Sequence, residues 1–280
     1  MLYFQIGLGA LFSVVGLPPV LGFQPAAVCL RTESSSSALF GVRNYGLEKR
    51  RYGAAPTDGG MELYLKAAED DKSVGDCPFA HSVRMALNEK GLEYDLRPSV
   101  ERTKPSWLID HYEGKMPALR HRKECYVESD VIMRYIDFFF PEPALMTSKA
   151  KMNKAIDAVD GFFPEVARYL KHTPDGDDED IELKNGLEIA LQKIEDHLLC
   201  TKEKGDFLCG DIFTVHDCSL GPKLYHMKTG VKEFKDGAID LEAQFPETTR
   251  YMNTIFSRKS FIDAIYSEDV IVWGWGNARE

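Results

Sequence analysis

The sequence predicts two folded parts, a small mixed α/β part followed by an all-helical part. Between residues 61 and 143 the local patterns run strand, helix, strand, helix, strand, strand, helix, which is the order of a small mixed sheet with helices on both faces. From residue 148 to residue 280 the strand patterns fade, and apolar side chains recur at helical spacing. A chain of 280 residues has room for about two such domains.

The first strand and the first helix have the clearest local signals. Residues 61–67 alternate leucine with polar side chains, which is the period of a strand. Asp76 has a side chain that favours the N-cap position, and Pro78 suits the first turn because its missing N–H would have no partner there. The helix that these residues predict ends at Gly91, and residues 92–96 are predicted as a second strand.

The remaining elements of the α/β part are shorter. Residues 105–112 are predicted as a short helix. Residues 116–119 and 125–127 are predicted as two strands around a polar turn. Ser129 starts a further helix, which must stop before Pro141 because the residue before a proline disfavours the helical conformation.

The all-helical part contains one long amphipathic helix and one helix with a marked start. In the first, leucine or isoleucine recurs at helical spacing, at Leu183, Leu187, Leu191, Ile194 and Leu198. Thr214 and Asp217 have the spacing of a capping box, with Asp where Glu is usual, and they predict the start of another helix.

Charge and cysteine usage exclude several classes of protein. The net charge is -10, so the surface has no general attraction for nucleic acid, and no basic segment supplies one locally. The six cysteines are too few and too scattered for a disulfide scaffold. Beyond the N-terminus no window of about 18 residues is continuously apolar, so we expect no stable membrane insertion of the folded part.

Residues 1–60 have the composition of a targeting leader. The first thirty residues carry no charge, and glycine and proline shorten their apolar run to about 15 residues, which favours a signal peptide over a membrane anchor. The serine run Ser34–Ser37 and the weakly basic stretch behind it are typical of a transit peptide. Together with Phe23 at the junction, these features resemble the bipartite leader of plastid proteins in algae with complex plastids. Secretion, or residence in an endomembrane lumen, is the alternative.

Cys77 is the candidate nucleophile. It lies just behind the predicted N-cap, where backbone N–H groups and the helix dipole lower the pKa of a thiol and favour the reactive thiolate. Strand, loop, Cys, Pro and helix in this order is where thioredoxin-like folds place a redox thiol. Ala80 stands where a second, resolving cysteine would be, so Cys77 needs an external thiol, normally glutathione. A buried, inert cysteine is the alternative.

Two further segments favour glutathione binding. Met116-Pro117 precedes a strand opposite Cys77. In thioredoxin-like folds the matching bond is cis, and the backbone of the residue before the proline pairs with bound glutathione. Ser129 lies at a helix start, where its hydroxyl and the backbone N–H groups would bind the γ-glutamyl carboxylate. A plain N-cap serine is the alternative.

A set of short motifs occurs in order over residues 61–280. It comprises Leu65-Lys66-Ala67-Ala68, Gly75-Asp76-Cys77-Pro78-Phe79, Lys104-Pro105-x-Trp107, Gly114-Lys115-Met116-Pro117, Glu128-Ser129-Asp130-Val131-Ile132, Gly221-Pro222-Lys223-Leu224-Tyr225-His226 and Gly274-Trp275. Together these motifs resemble the dehydroascorbate reductases of the glutathione transferase superfamily, which are related to the chloride intracellular channel proteins.

The resemblance implies a thioredoxin-like N-terminal domain, an all-α C-terminal domain and the glutathione-dependent reduction of dehydroascorbate to ascorbate. Cys77 is then the nucleophile that forms a mixed disulfide with glutathione. The implied glutathione-binding residues are Lys66, Asp76, Lys104, Met116 and Ser129. The implied ascorbate-binding residues are Lys66, Asp76, His226 and Trp275, with Trp273 as a rival to Trp275. Glutathione acts as co-substrate, no cofactor is tightly bound, no metal is needed, and the protein is a monomer.

The chain departs from the family pattern just after Cys77. The family usually has Ser-Gln-Arg where this chain has Ala80-His81-Ser82. We therefore expect the basic charge near the helix start to be supplied by His81 or Arg84.

Alternative functions remain open on the sequence alone. One is an omega-type glutathione transferase or thioltransferase, and another is a binding protein without catalysis, which intact Cys77, Lys66 and Asp76 disfavour. A third is a membrane-inserting protein like the chloride intracellular channels. Against it, residues 76–91 contain enough charged and polar side chains to predict a half-exposed helix rather than an inserting one.

Overall fold

The computed structural model describes residues 60–174 and 178–279. The predicted leader, apart from Gly60, lies outside the described residues. The leader therefore stays a prediction.

A four-stranded mixed sheet forms the α/β part, in the strand order β2-β1-β3-β4. The strands are β1 (Met61–Lys66), β2 (Tyr94–Ser99), β3 (Ala118–His121) and β4 (Glu124–Val127). β1 pairs in parallel with β2 and antiparallel with β3, so that Leu63 lies beside both Leu96 and Leu119. β4 continues antiparallel at the far edge.

The second strand is longer and later than the pattern predicts. It runs to Ser99 and includes Pro98, which lies opposite Leu65 on β1. A proline has no N–H for a sheet and argues against a strand in sequence. β2 is an edge strand, however, so the missing donor need not leave a neighbouring strand unpaired.

Three helices accompany the sheet, and they are α1 (Pro78–Glu89), α2 (Ser106–Tyr112) and α3 (Ser129–Phe139), with a 3₁₀ turn at Glu101–Thr103. α3 ends before Pro141, as predicted. The apolar face of α1, with Val83 and Leu87 fully buried, joins the core beneath the sheet. Tyr64, Leu108 and Tyr112 form a smaller cluster between the sheet and α2.

The remainder of the described chain is helical. Its helices are α4 (Lys149–Val159), α5 (Phe162–Lys171), α6 (Glu179–Thr201), α7 (Val215–Phe234), α8 (Leu241–Gln244), α9 (Pro246–Phe256), α10 (Lys259–Ile262) and α11 (Glu268–Gly276). The predicted stripe lies on α6, with Leu187, Leu191 and Ile194 fully buried. No helix within residues 60–174 and 178–279 is long and apolar enough to span a bilayer.

The predicted capping box starts α7. The Thr214 N–H and hydroxyl donate to Oδ2 of Asp217 at 2.7 and 2.8 Å. The other oxygen, Oδ1, accepts from the Leu208 N–H and the Tyr251 hydroxyl, both at 3.0 Å. Asp217 therefore joins α7 to the preceding loop and to α9, which is more than a helix cap alone would do.

α1 connects the two parts of the fold. The Arg84 guanidinium on α1 donates to the Ala264 carbonyl at 2.6 Å, just after α10. At the end of α1, the Lys90 ammonium donates to Asp137 and to the Pro143 carbonyl, each at 2.6 Å. The buried core runs without a break from the sheet through α1 to α7. The position of Cys77 at the start of α1 thus places it where the two parts meet.

Candidate active site

Cys77 is the N-cap residue of α1 and is partly exposed. Burial raises the pKa of its thiol above the ordinary value, while the backbone N–H groups of Ala80 and Phe79 lower it. The sequence predicted a lowered pKa, and that prediction is wrong. The loss of water around the sulfur outweighs the N–H groups at the helix start.

Lys66 and Asp76 form an ion pair beside Cys77. The Lys66 ammonium donates to Oδ1 of Asp76 at 2.6 Å. Asp76 is buried, whereas 46% of the Lys66 side chain is exposed. The charge of Asp76 raises the pKa of Cys77 and that of Lys66 lowers it.

The prediction that Asp76 caps α1 is wrong. Cys77 occupies the N-cap position, and its side chain makes no cap hydrogen bond of normal geometry. Instead, the Asp76 carboxylate points to Lys66, because the loop folds back on the end of β1. The Gly75 N–H donates to the Lys66 carbonyl at 2.8 Å. A Cβ atom on Gly75 would lie 2.5 Å from the Ala67 carbonyl oxygen, so only glycine fits there.

His226 lies on α7 under this loop, and only 1% of its surface is exposed. Its Nε2 atom is 2.7 Å from the Tyr266 hydroxyl. Burial lowers the pKa of His226 to about 3, and the charge of Lys66 lowers it further. The Asp76 carbonyl, which faces the ring, has the opposite effect and raises the pKa. His226 is therefore neutral at physiological pH.

The two tryptophans of α11 have different neighbours. Trp275 is buried, and its ring centroid lies 6.1 Å from that of His226. Trp273 is half-buried, and the Lys66 ammonium lies 5.5 Å from its ring centroid. Between them Gly274 packs on Asp76. Within the described part of the chain, Nε1 of Trp275 and Nδ1 of His226 are buried without a hydrogen bond of normal geometry.

The predicted glutathione residues lie on separate segments. The Met116–Pro117 bond is cis, as a thioredoxin-like fold predicts. Ser129 is the first residue of α3, after the N-cap Glu128 at a φ of 69°. The Lys104 ammonium pairs with Glu101 at 2.5 Å. It also packs closely on Gly114, since a Cβ atom at position 114 would lie 3.2 Å from it. No hydrogen bond or ion pair described for residues 60–174 and 178–279 joins Lys104 or Ser129 to Cys77 or to the Lys66–Asp76 pair.

Two aromatic residues and a lysine near Cys77 were not predicted as site residues. Phe79 is 39% exposed and meets Phe163 edge to face at 5.6 Å. Phe163 also lies 6.3 Å from Trp275. The Lys223 ammonium is 5.5 Å from the Phe79 ring, and burial lowers the pKa of Lys223. Phe79 and Lys223 belong to the quoted motifs, but Phe163 has no sequence signal that separates it from a core residue.

Neither His81 nor Arg84 supplies the basic charge that was expected near the start of α1. The His81 ring is fully buried against Phe261 and Tyr266, and burial lowers its pKa to about 3. The Arg84 guanidinium is occupied by carbonyl groups after α10. The cation that lowers the pKa of Cys77 is instead Lys66.

Within the described ranges there is no group of three or more His, Cys, Asp or Glu side chains that could hold a metal ion. All the cysteines described there are free thiols, and Cys200 is exposed.

Comparisons with known proteins show which proteins this chain is similar to. A family model, the glutathione S-transferase N-terminal domain, matches residues 76–137. Glutathione S-transferase DHAR2 of Arabidopsis thaliana is 30% identical over 219 residues, 77% of this chain and 96% of its own length. The probable chloroplastic DHAR2 of Oryza sativa subsp. japonica is 31% identical, over 72% of this chain and 70% of its length.

Solved structures show the same fold. The dehydroascorbate reductase of Chlamydomonas reinhardtii superposes with a TM-score of 0.66 at 28% identity, over 78% of this chain and 98% of that chain. A tau class glutathione S-transferase of mango, at 17% identity, has the same TM-score over 79% of this chain and 99% of that chain. The α/β thioredoxin-like N-terminal part and the all-α C-terminal part are therefore the glutathione transferase fold.

Proposed function

Because the chain belongs to the dehydroascorbate reductases of the glutathione transferase superfamily, we propose that it reduces dehydroascorbate to ascorbate with electrons from glutathione. The observation that carries the proposal is the single thiol of Cys77 at the start of α1, beside the Lys66–Asp76 pair. The relatives' names and the Chlamydomonas structure support it.

The chemistry needs one protein thiol and two glutathione molecules. The Cys77 thiolate, water and dehydroascorbate give the ascorbate anion and a sulfenic acid on Cys77, so that two electrons leave the sulfur. The sulfenic acid condenses with one glutathione, which forms the mixed disulfide and releases water. A second glutathione attacks this disulfide, and oxidised glutathione and the Cys77 thiol are the products.

The protein groups around Cys77 stabilise its thiolate at two steps of the proposed reaction. The N–H groups of Phe79 and Ala80 and the charge of Lys66 stabilise the thiolate against burial. They stabilise it again when the second glutathione displaces it as the leaving group, because a more stable thiolate leaves faster.

The substrate side of the site is proposed to be formed by Lys66, Asp76, His226 and Trp275. Trp275 Nε1 is a buried donor without a hydrogen bond, and an unpaired buried donor is costly. An oxygen of dehydroascorbate would satisfy it. Nδ1 of the neutral His226 is also buried; it faces the Asp76 carbonyl without a hydrogen bond of normal geometry. Lys66 is the nearby cation for the developing ascorbate anion.

The glutathione side is proposed to be formed by Met116, Ser129 and Lys104, together with Lys66 and Asp76. The free N–H groups at the start of α3 and the Ser129 hydroxyl would bind the γ-glutamyl carboxylate. The backbone of Met116, before the cis-proline, would pair with the glutathione peptide, and Lys104 would bind a carboxylate.

We also propose import into a plastid, with residues 1–60 as the leader, 61–143 and 148–280 as the domains, and a monomeric state. The chloroplastic names of DHAR3 of Arabidopsis thaliana and of the rice relative support the compartment, although another rice relative is named cytosolic. A chain that starts at Met61 should fold and keep full activity. Loss of cooperative unfolding in that chain would contradict the leader.

The direct test is glutathione-dependent formation of ascorbate, followed by its ultraviolet absorbance. Cys77→Ser should abolish it, and the exposed Cys200→Ser is the matched control that should not. A thioltransferase of the omega type is the second candidate, because a single thiol without a resolving partner also serves thiol transfer. Assay with a small mixed disulfide decides between them: faster turnover of that substrate than of dehydroascorbate would reject the proposed reductase.

A further inference from the structure

One turn of α11 contacts both members of the ion pair beside Cys77. The Trp273 ring lies 5.5 Å from the Lys66 ammonium, and the next residue, Gly274, packs directly on the Asp76 carboxylate. Trp275 points elsewhere, to His226 and Phe163. The two tryptophans that the sequence left as rivals therefore have separate contacts.

We propose that Trp273 is a positioning residue that holds the Lys66 ammonium beside Asp76 and Cys77 through a cation–π contact. What Lys66 then does for the substrate rests on the proposed function. The contact itself, and its effect on the Cys77 thiol, do not depend on which substrate is reduced.

Lys66 needs a second contact because its ion pair alone would hold it weakly. Nearly half of its side chain is exposed, and its flexible stem loses rotamer entropy when the ammonium is held in one place. An ion pair with an exposed partner is too weak to offset that loss of entropy. The face of a tryptophan ring within about 6 Å attracts an ammonium more strongly than that of any other aromatic side chain.

The position of this ammonium matters to the sulfur. Lys66 is the cation that lowers the pKa of Cys77, whereas Asp76 raises it. If the ammonium moves into water while Asp76 stays buried, the thiol keeps the unfavourable charge and loses the favourable one. Trp273 thus acts on Cys77 through Lys66.

The first measurement is the pH dependence of Cys77 alkylation by iodoacetamide, read by mass spectrometry of the Cys77 peptide. In Trp273→Leu we expect the midpoint to move to higher pH. The KM for dehydroascorbate should rise by about two- to five-fold, the equivalent of one cation–π contact. Trp273→Phe, which keeps a ring face, should restore most of both. Trp107→Phe, whose ring packs on Tyr64, is the matched control and should change neither.

The second measurement needs no turnover. Lysines are reductively methylated with ¹³C-formaldehyde, and the Lys66 resonance is assigned by its absence in Lys66→Arg. A ring face shifts that resonance upfield, and Trp273→Leu should return it to the position of an exposed lysine. Absence of dehydroascorbate reduction in the wild type would reject the proposed function and leave this test intact. An unchanged Lys66 resonance and alkylation midpoint in Trp273→Leu would overturn the positioning role, whatever happens to the KM.

Discussion

Gly274 lies so close to Asp76 that a Cβ atom at position 274 would stand 1.8 Å from the Oδ2 carboxylate oxygen. These residues are far apart in sequence, one before α1 and the other near the end of α11. Their contact joins the C-terminal helix to the loop that carries Cys77. The shape of the candidate site therefore depends on the last turn of the chain's last helix.

Gly274→Ala tests that contact. The added methyl group must displace either the Asp76 carboxylate or α11, and overpacking of this kind lowers the free energy of unfolding by about 1–3 kcal/mol. Activity should fall by at least about ten-fold, the equivalent of about 1.4 kcal/mol in the barrier. Gly276→Ala is the matched control, because a Cβ there meets nothing within 4 Å. Equal effects of the two substitutions in denaturant unfolding and turnover would contradict the contact.

Asp76→Asn tests the charge at the site. Asp76 does not cap α1, so we expect loss of an ion pair only, within about 1 kcal/mol of unfolding free energy. The charge of Asp76 raises the pKa of Cys77, so its removal should lower that pKa and shift the alkylation profile to lower pH. Turnover should nevertheless fall, because Lys66 loses its partner. A profile that moves to higher pH would show that Asp76 does not act on the thiol by its charge.

Cys77 is expected to be the only thiol that the reaction needs. Enzyme treated with dehydroascorbate and one equivalent of glutathione should carry the glutathione adduct on Cys77, as identified by mass spectrometry. Replacement of the other five cysteines should leave turnover largely intact, and the kinetics should be ping-pong. An internal disulfide from Cys77 to Cys209 or Cys218 in place of the adduct would refute the single-thiol scheme.

His81 should make the protein sensitive to acid. Its pKa falls from 6.5 to about 3 on burial, so between these values the unfolded chain binds a proton that the folded protein excludes. The free energy of unfolding then decreases as the pH falls, by about 1.4 kcal/mol per pH unit for this group.

His81→Leu should therefore reduce the loss of stability between pH 7.5 and pH 5 by about 2 kcal/mol in urea unfolding. Leucine suits the apolar surroundings of Phe261 and Tyr266. The exposed His111→Gln serves as control and should leave the loss as in the wild type. If both variants lose stability alike, the burial of His81 does not contribute to the acid sensitivity.

Replacement of Asp217 is expected to lower the free energy of unfolding more than replacement of the surface cap Asp240. Asp217→Ala leaves the donors of Thr214, Leu208 and Tyr251 buried without an acceptor, and we expect a loss of at least about 3 kcal/mol. Asp240 caps the start of α8 at the surface, through the Ala243 N–H. Asp240→Ala should cost about 1 kcal/mol. Chemical denaturation would contradict the network if the two losses were equal.

Most elements of the fold were predictable because their signals are local. Each signal depends on residues that are only a few positions apart in the chain. Examples are the alternation in β1, the proline in the first turn of α1 and the capping box of α7. The end of β2 was missed because Pro98 is acceptable only in an edge strand. Which strand forms an edge depends on how the whole sheet is ordered, and that order is not a local property.

The sequence by itself determined which residues are the candidates for the chemistry: a single thiol before a proline at a helix start, and the motifs that include Lys66, Asp76 and His226. Only the tertiary structure decided what these residues do to one another. It turned Asp76 from a helix cap into the partner of Lys66, assigned Trp273 and Trp275 to different neighbours, and reversed the expected shift in the Cys77 pKa. The physical reason is that desolvation and charge pairing depend on distances across the fold, between segments that the chain separates widely.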